Sequence, residues 1–502
     1  MADRLAAIRA RSRAEEEGIP FVELAGFTLE PDAVRAIPFD ILQRLGAVPY
    51  RLVDGVLHVA IAEVSPFALA ELQLACGNTV ALALAPEHDI AVLLHELGSG
   101  GTLVDEELRL EGELPSDSPA MRTVNEILRR AAVSRASDVH FIPDNGFMHV
   151  RFRIDGVVQE QSVLPPEEVT SVIARLKVLA KLDLAEHRRA QDGRFSVRTT
   201  VGRMIDARIT ILPTVSGEGV ILRLLQKNAV APSLTDLGLA NSMQMELERI
   251  VDRAVGALIV TGPTGSGKST TLYAALSDLA RPERTVITIE DPVEYELPGT
   301  YQLQTNAAAG VTFASALRSM LRGDPDVLMV GEIRDAETAN LALGASLSGH
   351  FLLSTLHTND APSAVTRLIE MGVEPYVISA GLSGVIGQRL ARKLCLYCRQ
   401  PYTPSEDVLA RLRPGGTSPA GATFFRAGGC TYCSSGYRGR IGVYQLLTID
   451  DDLRHLIAVG APNDAIVRAA QESGMKSLWD DGLEKVEAGL TSLEELHRVV
   501  PR

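Results

Sequence analysis

An excess of basic residues is missing from this chain of 502 residues: 49 lysines and arginines stand against 63 aspartates and glutamates, for a formal charge of −14. Counterion release by nucleic acid needs a concentrated basic face, so a general nucleic-acid binder is not expected. Missing too are the low hydrophobicity of a disordered chain and the apolar excess of a membrane protein, because 46% of the residues are hydrophobic and 22% charged. The opening MADRLAAIRARSRAEEEG carries charge throughout and no apolar core of the kind a secretory signal requires, so the chain is expected to stay in the cytoplasm. One uncharged stretch, Thr338 to Asn359, is long enough to cross a bilayer. It holds Asn340, Ser346, Ser348, His350 and His357, and Ser348-Gly349 splits it into a helix-like half and the strand-like FLLSTLH. No span is expected there. Repeats at solenoid spacing and low-complexity tracts are absent as well.

What is there divides into several compact units, since a chain of this length exceeds one ordinary core. Residues 1–97 read as a small mixed unit, with strand-like AVPYRLV and VLHVAIA around a turn-forming Asp54-Gly55, then helix-like FALAELQLA. Residues 98–118, rich in Gly, Ser and acids, read as a solvated linker. Residues 119–228 begin with the amphipathic MRTVNEILRRAAVSRA and continue through strands such as MHVRFRID and DARITILPT, an α+β pattern. From 232 to 502 the apolar strands ALIVTG, TVITIED, VLMVGE and FLLSTLH alternate with helical segments. That alternation predicts an α/β fold whose parallel sheet is covered on both faces.

Gly262-Pro263-Thr264-Gly265-Ser266-Gly267-Lys268-Ser269, with Thr270 next, fits GxxxxGK[ST] and lies between the strand ALIVTG and a helix. A Gly-rich turn that only caps a helix would show neither flank. In this setting the glycines let backbone amides turn toward phosphate, the helix N-terminus adds positive potential, Lys268 reaches the terminal phosphates of ATP, and Ser269 offers its hydroxyl to Mg²⁺. Open α/β sheets present their ligands at strand ends, so carboxylates there are candidates for readying a water. Glu332 closes VLMVG, and Glu290, Asp291 and Glu294 lie in ITIEDPVE. Alone, each could be an acidic strand end facing solvent.

Four of the five cysteines form two CxxC pairs, Cys395/Cys398 and Cys430/Cys433, in which two tight turns can bring four thiolates to tetrahedral Zn²⁺. Four sulfur ligands leave no open position, so the metal is expected to be structural. Cys76, in ELQLACGN, reads as a small buried hydrophobe.

Taken in order, GPTGSGKST, ITIEDPVEY, DVLMVGEIRDAETA and GHFLLSTLHTNDA resemble the motifs of the secretion ATPases of type II secretion and type IV pilus assembly, the GspE- and PilB-like proteins. The resemblance covers nearly the whole chain. It implies a RecA-like P-loop motor domain preceded by an α+β domain, a small N-terminal adaptor domain, and a tetracysteine zinc subdomain placed at 388–445. It further implies that Glu332 is the Walker B glutamate, that Glu294 stands near the hydrolytic water with Glu290 and Asp291 as second choices, that His357 rather than His350 is the functional histidine, and that Arg194 and Arg208 face phosphate. Also implied is a homohexamer, peripheral to the inner face of the cytoplasmic membrane, whose ATP hydrolysis acts on an inner-membrane platform protein to assemble pilin or pseudopilin, with a cytoplasmic adaptor as second partner. Two departures stand out: Gly331 where many P-loop enzymes place Asp, and Gln445 where a Glu is usual. The paired RLG…Q motifs of a cyclic-di-GMP-binding form of the N-terminal domain are not recognised, Arg4-Leu5-Ala6 being the nearest start, and that ligand is not expected. The alternative functions are a nucleic-acid translocase on the same motor fold and a regulatory ATP-binding protein with little turnover. The acidic balance weighs against the first, and intact Lys268, Glu294 and Glu332 against the second.

Overall fold

The computed structural model describes residues 10–94, 108–110, 118–199, 204–226, 232–405, 408–409, 412, 423–430 and 433–500, apart from 12, 15–17, 23, 25–28, 31–32, 35, 54, 64–65, 78, 88 and 91–92. Arg4-Leu5-Ala6 and most of the stretch 98–118 lie outside the described residues. Two compact units divide the chain: Met1–Arg153 with Val158–Leu225, and Ile154–Val157 with Gln226–Arg502.

In the first unit, helix α1 (Phe39–Leu45) ends on Gly46 at φ 58°, whose N–H donates to the Leu42 carbonyl. Arg44-Leu45-Gly46 therefore does spell an RLG tripeptide that the sequence reading passed over. Here it serves as a helix end, because only a residue tolerant of left-handed φ closes the turn this way, and Arg44 pairs with Glu71. Strands β1 (Ala47–Val53) and β2 (Val56–Ile61) form an antiparallel hairpin in which Val53 pairs with Val56 and Gly55 takes φ +78°. At the end of α2 (Pro66–Cys76) the thiol of Cys76 sits 3.8 Å from the Gln73 carbonyl. The residue is half-buried rather than buried, since the last turn of a helix turns partly to solvent. β3 (Thr79–Leu84) runs parallel to β2.

A seven-stranded sheet follows, built from β4 (Leu108–Leu110), β5 (Asp138–Asp144), β6 (Phe147–Ile154), β7 (Val157–Leu164), β8 (Gln191–Thr199), β9 (Met204–Thr214) and β10 (Gly217–Gln226) in the order β4-β8-β9-β10-β5-β6-β7. β4 lies inside the stretch read as linker and pairs with β8, so three of those residues are held by a ladder. Helix α3 (Pro119–Val133) starts where Ser118 accepts the Met121 N–H ahead of a proline at the first helical position, and it buries Val124, Ile127, Leu128 and Ala131. The second helix, α4 (Pro166–Leu179), buries Val172, Ile173 and Leu176. Strands β5 and β6 bury alternate residues, Val139 and Phe141, then Met148, Val150 and Phe152.

The second unit is organised by β11 (Gly256–Thr261), β12 (Val286–Glu290), β13 (Tyr301–Gln304), β14 (Val327–Val330), β15 (Phe351–Leu356) and β16 (Leu382–Leu394), in the order β13-β12-β14-β15-β11-β16. These six run parallel. The short strands β17 (Gln400–Tyr402) and β18 (Phe424–Arg426) pair with each other, and β19 (Tyr437–Thr448) returns antiparallel to β16 as the sheet edge. Ala257, Ile259, Leu328, Val330 and Leu352 pack on one face with α7 (Phe313–Met320), α8 (Ala336–Leu347) and α9 (Ala361–Glu370). Their neighbours Leu258, Val260, Val286, Met329 and Leu353 pack on the other with α5 (Asn241–Val251) and α6 (Lys268–Leu279). Burial of both faces is what demands strands that are apolar at every position. The uncharged stretch 338–359 resolves into most of α8 and all of β15, and among the described residues no helix is long and apolar enough to cross a membrane. Residues 388–394 and 437–445 are strand residues of this sheet, so the cysteine-bearing excursion is narrower than the 388–445 read from sequence and lies between Leu394 and Tyr437.

Candidate functional site

Parallel strands bring their carboxyl ends to one edge of the sheet. There β11 runs into the Gly-rich loop, β12 into the acidic motif, β14 into Gly331-Glu332, and β15 into His357. Gly262, Gly265 and Gly267 have φ of +153°, +78° and +87°. A Cβ on Gly262 would fall 2.5 Å from the Gln388 carbonyl oxygen and 2.6 Å from Ser266 Oγ, and one on Gly267 would fall 2.8 Å from Gln388 Nε2. Close packing against the β16 backbone thus requires glycine at 262 over and above the backbone angle, while at 267 the contact is with the end of a side chain and the left-handed φ is the stronger demand. Pro263, Thr264 and Ser269 are exposed, Thr270 is half-buried, and Ser266 and Lys268 are buried. Among the described residues the Ser266 hydroxyl has no hydrogen-bond partner, an orphan donor that a phosphate oxygen in the loop would satisfy. The residues present fit a nucleotide phosphate.

Lys268 Nζ lies 2.9 Å from the Gly262 carbonyl, 3.1 Å from that of Pro263, and 3.5 Å from His357 Nδ1. On its far side His357 places Nε2 3.5 Å from one carboxylate oxygen of Glu332, and Arg334 donates to the other. Lys268, His357 and Glu332 therefore form one chain of contacts, which Arg334 extends. Burial pushes the Lys268 ammonium down to about 8, against the pull of Glu332 and with a smaller push from the Arg389 cation. For Glu332 burial is the largest single influence and acts upward, but the hydrogen bonds and charges of Arg334 and His357 together hold its carboxyl below the usual range. That carboxylate stays ionised at neutral pH. Thr261 fixes the histidine loop, accepting the Thr358 N–H at 2.9 Å and meeting its hydroxyl at 2.7 Å.

The acidic motif separates into two kinds of carboxylate. Glu290 is 3% exposed and accepts from the Tyr273 phenol, from Thr288 Oγ1 at 2.7 Å and from Gln302 Nε2 at 3.3 Å. Burial raises its pKa. So enclosed, it ties the end of β12 to Tyr273 and Gln302. Asp291 and Glu294 are exposed beyond it, and the Glu294 N–H donates to the Tyr273 hydroxyl at 3.3 Å, tying that loop to α6. His350 is at the other end of β15 from His357, with Nδ1 3.0 Å from the Ala345 carbonyl and 3.2 Å from Ser348 Oγ, where it closes α8. Gln445 accepts the Ala361 N–H at 3.0 Å at the start of α9. A carboxylate could accept there as well, so either side chain can make this contact.

Arg194 and Arg208 belong to the first unit, directly opposite each other on β8 and β9 and both exposed. Like charges directly across a ladder repel, and Asp192 and Asp206, two positions along on the same face, offset the pair. Sequence reasoning did not single out Tyr273, Arg334, Gln388 or Arg389. For Arg334 the available signal was its place two residues after Glu332. Arg389 is one of three basic residues in GQRLARKL and carries no motif spacing of its own.

Cys395 follows β16, and Cys430 and Cys433 precede β19, so the four thiols gather where that hairpin opens. Sγ–Sγ distances are 3.7 Å for Cys395–Cys430, 3.7 Å for Cys398–Cys433 and 3.6 Å for Cys430–Cys433, and all four sulfurs lie within 4.8 Å of one another. Tetrahedral Zn²⁺ with Zn–S bonds of about 2.3 Å separates its sulfurs by about 3.8 Å. The donor set fits zinc. The Gly436 N–H donates to Cys433 Sγ at 3.2 Å, a bond suited to a thiolate.

A family model described as "Type II/IV secretion system protein" matches residues 113–498. The chain belongs to that family. A second model, the MshEN domain, matches residues 17–102 of this type II/IV secretion system protein. It is 40% identical to the type IV pilus assembly ATPase PilB of Thermus thermophilus over 97% of this chain, but spans only 57% of that relative's length. Type II secretion system protein E of Pseudomonas aeruginosa is 42% identical over 93% of this chain and 96% of its own. Among solved structures, the pilus retraction motor PilT with bound ADP superposes with a TM-score of 0.50 at 27% identity, covering 75% of this chain and 96% of PilT. The nucleic-acid translocase alternative finds no support among these relatives.

Proposed function

We propose that this protein hydrolyses ATP to power the assembly of pilin or pseudopilin subunits, working in the cytoplasm at the inner face of the cytoplasmic membrane. The observation that carries the proposal is the contact chain Lys268–His357–Glu332 at the carboxyl edge of the parallel sheet. In this reading Lys268 and the loop Gly262–Thr270 hold the phosphates of ATP, and Ser269 takes Mg²⁺. When bound, the ion neutralises charge developing on the transferred phosphoryl oxygens. Glu332, ionised and gripped on one oxygen by Arg334 and on the other by His357, orients and polarises the water. Glu294 assists from the loop tied down by Tyr273. Arg194 and Arg208 supply positive charge for the phosphates. Zinc on Cys395, Cys398, Cys430 and Cys433 is structural, clipping the ends of β16 and β19.

PilB, a type IV pilus assembly ATPase, and type II secretion system protein E, both alike along most of this chain, support a role in pilus assembly or type II secretion, and within that role we propose a homohexamer acting on an inner-membrane platform protein. Residues 1–97 would dock on a cytoplasmic adaptor. The test is phosphate release by the purified full-length chain with ATP and Mg²⁺, alongside its mass under native conditions. A hexamer whose turnover vanishes in Lys268→Ala is expected. Release no faster than that variant, even with membranes carrying the platform protein, sinks the proposal.

A further inference from the structure

Arg389 is buried, at 9% exposure, and the only hydrogen-bond acceptors its guanidinium meets among the described residues are backbone carbonyls. Nη2 donates to the carbonyl of Asn359 at 2.7 Å, and Nη1 to the carbonyl of Gln388 at 3.0 Å. Asp360 attracts it electrostatically, but Asp360 Oδ1 already accepts the Ser363 N–H at 2.8 Å as the cap of α9. Burying a cation with no carboxylate in hydrogen-bond contact is costly, and a well-packed apolar side chain would be easier to accommodate. The two carbonyls explain why a guanidinium is there. Asn359 is two residues beyond His357, and the Gln388 carbonyl is the atom that a Cβ on Gly262 would strike at 2.5 Å. One planar fork therefore grips the histidine loop with one arm and the strand beneath the phosphate loop with the other. Gln388 completes the floor, accepting the Thr271 hydroxyl at 2.8 Å from the far side of β16.

We propose that Arg389 is a positioning residue of the nucleotide site, which holds His357 in line between Lys268 and Glu332 by fixing the Asn359 and Gln388 carbonyls together. The inference rests on the ATPase reading above. Lysine at this position keeps the charge but offers a single point in place of a two-armed fork, so it can grip one carbonyl and not both at the same geometry. Because the phosphate loop and Lys268 are untouched, the loss belongs in turnover and not in nucleotide binding.

The experiment uses the full-length chain with Arg389→Lys, Arg389→Met, His357→Ala and the double variant Arg389→Met/His357→Ala. Steady-state hydrolysis and the affinity for a fluorescent ATP analogue are measured for each. Displacement of a positioned group costs about 10²-fold in rate. Arg389→Met is therefore expected to lose about that much in kcat with KM changed less than about threefold, and Arg389→Lys to recover part of it. Residues that act as a unit do not add, so Arg389→Met is expected to cost almost nothing further in the His357→Ala background. Additive losses, a wild-type kcat in Arg389→Lys and Arg389→Met, or an unaffected His357→Ala variant each overturn the proposal. Should Arg389→Met fail to fold, the lysine variant decides alone: an unchanged melting temperature with reduced kcat supports positioning, and an unchanged kcat refutes it. A wild-type chain that binds the analogue but never turns it over counts against the ATPase reading itself and takes this inference with it.

Discussion

Replacing Tyr273 by phenylalanine removes one oxygen from the centre of the second unit, and the consequences can be followed atom by atom. The phenol is 1% exposed and donates to Glu290, while accepting the Glu294 N–H at 3.3 Å. Without it, a buried carboxylate loses one of three donors and a backbone N–H loses its acceptor. A hydrogen bond to a charged group is worth about 1.5–3 kcal/mol and an orphaned neutral donor about 1 kcal/mol, so Tyr273→Phe is expected to destabilise this unit by about 2–4 kcal/mol. The effect depends on pH in a definite direction. Burial sets the folded pKa of Glu290 above its unfolded value, so its favourable contribution is complete below the unfolded pKa and is lost as pH rises through the folded one. The Tyr273 hydroxyl stabilises the ionised form, and its removal pushes that pKa higher still. The gap between wild type and variant must then widen as pH rises above the ordinary carboxylate range. Trp479, the single tryptophan, lies in the same unit, so its fluorescence in urea reports the unfolding directly. In Tyr273→Phe/Glu290→Gln the pH dependence of the gap should disappear. A loss below about 0.5 kcal/mol, the range of an ordinary surface substitution, or a gap that does not change with pH, would refute the account of this pair.

Glu332→Gln preserves the shape of the site and removes the charge that His357 and Arg334 hold, so hydrolysis should fall by about 10²–10⁴-fold while the affinity for an ATP analogue stays within a few-fold. Retained turnover would move the water-activating role to Glu294. The tetracysteine site should contain one zinc per chain by elemental analysis, and Cys395→Ser should lose it and lower the melting temperature of the second unit. A metal-free wild type with the same melting curve would leave the four thiols without a structural role.

Much of this arrangement is legible in the sequence, for a physical reason that also marks where legibility stops. A strand buried on both faces has to be apolar at every position, so ALIVT, VLMV and FLLSTL announce a parallel sheet without help from periodicity. Strand ends and tight loops are likewise written in residue type, as with Gly262, Gly265 and Gly267, and with the paired cysteines. Selection among chemically similar side chains is not written there. ITIEDPVE offers three carboxylates within five positions, Glu290, Asp291 and Glu294, and only the packing of Tyr273 and Gln302 around Glu290 withdraws it from solvent. His350 and His357 flank the same strand, and the ends of that strand tell them apart: one closes α8, the other faces Glu332. The hairpin β16/β19 defeats boundary reading because its strands carry both sheet residues and the approach to the cysteines.

The same logic explains why Arg389 escapes notice and Lys268 does not. Lys268 is found because the phosphate loop has a fixed spacing along the chain, whereas Arg389 reaches the site from a strand that lies next to β11 only in the folded sheet. Between them two buried cations stand at this edge, and burial holds the pKa of both below the ordinary value. The carboxylate of Glu332 offsets part of that charge, and Arg334 and His357 already share it. Asp360 draws on the charge of Arg389, but the buried ammonium of Lys268 has only the shared carboxylate of Glu332 to attract it, and a polyanion in the phosphate loop relieves that cost. Strong phosphate binding and local electrostatic strain are then two views of one arrangement.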